Sequence, residues 1–81
     1  MSIFGKGELR RLRTTAAMTQ FQLKQASGIN QSTLSMAEAG LVQLTEQQET
    51  AVRNLLLRRI AARVEAANRV LRQAQRHEVT V

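Results

Sequence analysis

The chain has 81 residues, 43% of them hydrophobic, with 12 Lys+Arg against 6 Asp+Glu for a net charge of +6. That length allows one small core, and area scaling puts its folded surface at roughly 4,900 Å² with about 63% of the unfolded surface buried, a margin that self-association would widen. No cysteine and one histidine exclude disulfides, thiolate chemistry and His-rich metal sites, and Phe4 and Phe21 alone make no stacking platform for single strands.

The apolar content argues against a disordered chain. No run is long enough to span a membrane and no signal-peptide pattern is present, so the expectation is a soluble cytoplasmic module with no membrane partner. Ten of the 12 cations are arginines, and the sequence pI is near 11.6. Such a balance suits a polyanionic partner bound through phosphate contacts, or else a solvated cationic surface.

Beta-rich windows are missing, while Ala, Leu, Gln, Arg and Glu dominate, so the chain reads as all-α. The pair Ile3-Phe4 is either an apolar lid or a frayed end. A first helix is expected from Glu8 to Ala17, with Leu9, Leu12 and Ala16 on one face and Arg10, Arg11 and Arg13 on the other. Thr19 with Gln22 forms a capping box, and Met18 with Leu23 a hydrophobic staple, so a second helix starts at Gln20 and stops at Gly28. Asn30 caps a third, with Ile29 and Leu34 as its staple, and Gly40 ends it. Two short helices around a glycine turn of about three residues suggest a helix-turn-helix. Leu23, Ile29, Leu34 and Ala37 would face the core. Gln31, Ser32, Thr33, Ser35 and Met36 are free to face outward.

Thr45 with Gln48 forms another capping box, and neither Gly nor Pro follows through Val81. Residues 46–75 could therefore be one helix of roughly 45 Å. Val52, Leu55 and Leu56 suit packing beneath the motif. Beyond them Leu57, Ile60, Val64, Ala67, Leu71 and Ala74 recur at 3-4-3-4-3 spacing, an a/d seam that a second copy could bury. The competing reading breaks the helix near Arg58 or Arg59 and folds a fifth helix back. Residues 79–81 are expected to fray. The chain thus divides into a helix-turn-helix domain over 1–57, with its motif at 19–40, and a helical extension over 58–81 for dimerisation.

Between Met18 and Gly40 the chain resembles the helix-turn-helix of the Xre family, the Cro and phage-repressor-like regulators. The resemblance rests on Thr19-Gln20, on Ala26-Ser27-Gly28-Ile29 at the turn, on Gln31-Ser32-Thr33-Leu34-Ser35, and on Glu38 with Gly40. It extends over roughly residues 8–57. Two positions depart from the family: Lys24 stands where a small Ala is usual at the helix crossing, and Met36 where many members carry a polar or basic residue. The resemblance implies a four- to five-helix domain, with Gln31, Ser32, Thr33, Ser35 and Met36 at base edges and Gln20 on a backbone phosphate.

The side-chain chemistry is compatible with that implication. Gln31 can pair with adenine N6 and N7, and Ser32 or Thr33 can bond several base edges or touch a thymine methyl. Lys24, Arg13 and Gln43 are weaker phosphate candidates. The plain alternative for Gln31, Ser32 and Thr33 is a capped first turn exposed to water, and for Met36 a half-buried packing residue. His77 reads as a solvated tail residue. The expectation is a homodimeric double-stranded-DNA-binding regulator, a repressor on a palindromic operator, with no cofactor, no metal, no small-molecule substrate and no catalysis. An alternative is a protein-interaction module, an antitoxin or antiactivator that holds a toxin or regulator through its C-terminal helix.

Overall fold

A computed structural model of the chain describes residue 5 and residues 7–79, with side chains as far as Arg76. The Ile3-Phe4 pair, the His77 side chain and residues 80–81 lie outside the described residues. Four helices follow in order: α1 (Glu8–Thr15), α2 (Gln20–Ser27), α3 (Gln31–Glu38) and α4 (Glu46–Val79). The architecture is all-α, as the composition implies, and no strand occurs among the described residues.

The local signals act where the sequence places them. The Thr19 hydroxyl accepts from the Gln22 amide at 3.0 Å while the Gln22 side chain accepts from the Thr19 amide at 2.9 Å. The same reciprocal pair forms between Thr45 and Gln48 at 3.0 and 3.1 Å. Asn30 Oδ1 accepts from the Ser32 amide at 2.8 Å. Each cap satisfies amides that a helix start leaves without an intrahelical carbonyl.

The end of α1 departs from expectation. The helix stops at Thr15 because Ala17 turns left-handed, with φ of 56°. The Ala17 amide donates to Thr14 O and the Met18 amide to Arg13 O, a six-to-one closure of the helix terminus. The end of α3 repeats that closure: the Gly40 amide donates to Ala37 O and the Leu41 amide to Met36 O. There the left-handed position holds Gly40, at φ 78°. Glycine carries no Cβ penalty in this conformation, whereas an L-residue loses about 1–2 kcal/mol. Ala17→Gly is therefore expected to raise folding stability by about 1 kcal/mol, read as a higher urea midpoint with unchanged slope. An unchanged or lowered midpoint would show that the turn holds no such strain.

Leu9, Ala16, Met18, Leu23, Ile29, Leu34, Leu44, Val52 and Leu56 form the buried cluster, with Leu12, Ala37, Leu55 and Ile60 packed against it. Both staples end in this core. Leu44, just before α4, joins it without having been singled out by any helical periodicity.

Helix α4 is continuous over 34 residues, about 51 Å long, with no break at Arg58 or Arg59 and no helix folding back among the described residues. One long helix is what an unbroken run of good helix formers without Gly or Pro dictates. Its first part lies along α1: the Arg53 guanidinium sits 3.9 Å from the Glu8 carboxylate, and Arg63 donates to the Thr15 carbonyl at the end of α1. From Ala61 to Arg76 every residue is exposed. The consequence is an elongated shape, 56 × 23 × 19 Å. The radius of gyration is 16.3 Å where a compact chain of this length needs about 12 Å. The accessible surface is 6091 Å², well above the roughly 4,900 Å² that compaction would leave.

Candidate nucleic-acid interface

The turn between α2 and α3 spans residues 28–30, opened by Gly28 at φ 76°. Leu23 and Leu34 are fully buried on either side of it, and Ile29 is buried within it. That shared core fixes α3 against α2 and decides which face of α3 meets solvent. At about 100° per residue, Gln31, Ser32, Ser35 and Met36 fall on one side, and all four are exposed. Thr33 departs from expectation. It is half-buried, because its position on the helix turns it toward half-buried Ala37. Met36 is 39% exposed and lies on the solvent side rather than in the core.

Gln20 opens α2 and is half-buried, and Gln43 is exposed in the segment between α3 and α4. The Lys24 side chain is exposed and its ammonium lies 5.5 Å from the centre of the Phe21 ring. An outward Lys24 leaves the crossing of α2 and α3 undisturbed, which removes the packing conflict implied by a large residue there. Phe21, half-exposed on α2, was not distinguished by the sequence pattern, since a lone aromatic in a polar helix carries no periodic signal.

Arg13, a phosphate candidate in the sequence, is engaged within the fold. Its Nε and Nη2 donate to the two Glu38 carboxylate oxygens at 2.8 and 3.0 Å, and its Nη1 donates to Met18 O at 2.8 Å. With side chains 13% and 6% exposed, Arg13 and Glu38 form a clamp that ties the end of α1 to the end of α3. The hydrogen bonds to Glu38 raise the Arg13 pKa above the ordinary guanidinium value, outweighing the opposing effect of burial. A raised cation pKa stabilises the fold at every pH below the unfolded value, so this contribution is constant through the neutral range.

The cations are distributed unevenly. From Thr19 to Val52 the only one is Lys24, against Glu38, Glu46 and Glu49. Arg10 and Arg11 are exposed on α1, and Arg58, Arg59, Arg63, Arg69, Arg72 and Arg76 are exposed on α4. The positive charge thus flanks the outward face of α3 in sequence rather than lying on it. Glu49 is buried in the first turn of α4, where the helix dipole favours a carboxylate.

The expected dimer seam divides in two. Ile60 packs against the domain's own core, and Leu57 is 38% exposed beside it. Val64, Ala67, Leu71 and Ala74 are all exposed, together with Val70 at 65%. Among the described residues no His, Cys, Asp and Glu group is arranged to hold a metal ion, and no helix is long and apolar enough to cross a membrane. Comparisons of the chain with protein-family models, with curated proteins and with solved structures find no match.

Proposed function

We propose that the chain is a sequence-specific double-stranded-DNA-binding regulator of the kind the Xre-family resemblance implies, working as a cytoplasmic homodimer without catalysis. The observation that carries the reading is the exposed face of α3: Gln31, Ser32 and Ser35 are presented to solvent on a helix that Leu23, Ile29 and Leu34 hold rigidly against α2. Amide and hydroxyl side chains on the first turns of such a helix match the donor and acceptor pattern of the major groove. Arginines on α1 and α4 supply the phosphate attraction that α3 itself lacks. Two motifs related by a twofold axis would read inverted half-sites, and occupancy of a promoter would repress it.

Gln31→Ala tests the assignment. On the preferred duplex it is expected to weaken binding by about 1–3 kcal/mol while leaving nonspecific duplex unaffected, measured by fluorescence anisotropy. Equal losses on both duplexes would remove Gln31 from base readout.

The placement of charge favours one second reading. Because the cations avoid the motif and crowd the exposed part of α4, that helix also suits an acidic protein partner, such as a toxin or a regulator held by an antitoxin or antiactivator. Binding to all duplexes alike, lost on raising the salt, would support this reading over operator recognition.

A further inference from the structure

The exposed part of α4 has two faces. Val64, Ala67, Val70, Leu71 and Ala74 lie within an arc about 120° wide, and Arg69, Arg72 and Arg76 lie on the opposite side. The 3.7 Å Glu65–Arg69 pair also belongs to that polar side. Arg63, which would otherwise border the apolar stripe, is bonded back to Thr15 O. The stripe therefore carries no charge of its own. It begins at Val64 because α1 runs along α4 between Arg53 and Arg63 and Ile60 is already packed on the core.

We infer that this stripe pairs with the same stripe of a second copy in antiparallel orientation, with the twofold axis passing beside Val70. The reading deepens the dimeric half of the proposed function and rests on it. Its basis is self-complementarity. In antiparallel register Val64 faces Ala74 of the second copy and Ala67 faces Leu71, so each layer sets a bulky side chain against a small one, as close packing requires. Parallel pairing sets each residue against itself. It leaves alanine opposite alanine at 67 and 74, two layers with too little volume, and puts valine against valine and leucine against leucine at 64 and 71. Val70 lies outside the a/d positions and has no role in a parallel pair, where its neighbour across the seam is Gln75. In the antiparallel pair it meets Val70 of the second copy across the twofold axis, which accounts for an apolar residue 65% exposed outside the a/d positions. A register one heptad closer to the domain is blocked: it sets Leu71 of the second copy against Ile60, where α1 already lies. The paired helices carry their two helix-turn-helix domains at opposite ends.

Single cysteines in this cysteine-free chain test the arrangement. Mild oxidation of Val70→Cys by oxidised glutathione is expected to give a covalent dimer on a non-reducing gel. Ala74→Cys alone should stay monomeric on the gel, because its mate lies about 15 Å away along the helix axis and a disulfide needs Cα atoms within about 7 Å. An equimolar mixture of Val64→Cys and Ala74→Cys protomers should cross-link to each other. Cross-linking of Ala74→Cys to itself but not of Val70→Cys would establish the parallel pair and overturn the inference. No cross-linking at any position, with a monomer mass in light scattering, would overturn it as well. None of these readouts uses DNA, so a cross-linked Val70→Cys dimer that shifts no duplex would sink the DNA-binding reading and leave the pairing standing.

Discussion

Glu38→Ala is expected to lower folding stability by about 2–3 kcal/mol, a large share of what a domain this small possesses. The carboxylate receives two of the three hydrogen bonds that Arg13 donates, and both side chains are almost removed from water. Deleting it strands a largely buried guanidinium with only the Met18 carbonyl left to accept. The loss exceeds the worth of an exposed ion pair because the remaining charge must be hydrated or expelled, either of which loosens the junction between α1 and α3. The matched double substitution Arg13→Met with Glu38→Leu leaves no stranded charge and should recover most of the loss. Urea unfolding followed by circular dichroism reads both. A loss below about 0.5 kcal/mol for Glu38→Ala would place the pair with ordinary surface salt bridges.

Leu71→Arg is expected to convert the dimer to a monomer and to reduce affinity for a palindromic operator by about 100-fold or more, because the two half-sites then bind independently. Leu71 is exposed in the single chain, so the substitution removes no intrachain packing and the monomer should keep its helical content. That separation makes the variant informative: circular dichroism should be unchanged while light scattering reports half the mass. A variant that stays dimeric would move the interface off the α4 stripe. A wild-type protein already monomeric at high concentration would remove the homodimer altogether.

Short-range chemistry makes most of the fold legible in the sequence. Thr19, Asn30 and Thr45 mark their helix starts through side-chain oxygens that reach amides two or three residues on, and that information is local by nature. The staples at Met18–Leu23 and Ile29–Leu34 name core residues for the same reason. What escaped was either unsignalled or nonlocal. Ala17 occupies a left-handed turn with no glycine to announce it, so the sequence predicts a first helix two residues too long. Leu44 sits outside any helical period. The Arg13–Glu38 clamp joins residues 25 apart in sequence, and nothing in either neighbourhood distinguishes a committed arginine from one aimed at phosphate. Among the residues expected to face outward on α3, exposure agrees with expectation for Gln31, Ser32, Ser35 and Met36. Thr33 differs because the packing of α3 on α2 sets its rotation, and a capping signal fixes only where a helix starts. In α4 the continuous run was legible, but where the domain ends and the free stripe begins depends on how far α1 reaches along it.

Operator recognition by α3 is tested by a gel-shift titration with the duplex upstream of the protein's own gene against a scrambled duplex, in excess competitor at two salt concentrations. A discrete complex is expected that contains two protomers, survives competitor on the first duplex only, and weakens as salt rises. Equal smearing on both duplexes, abolished at the higher salt, would contradict it: charge alone would then be at work, and α3 would not read sequence.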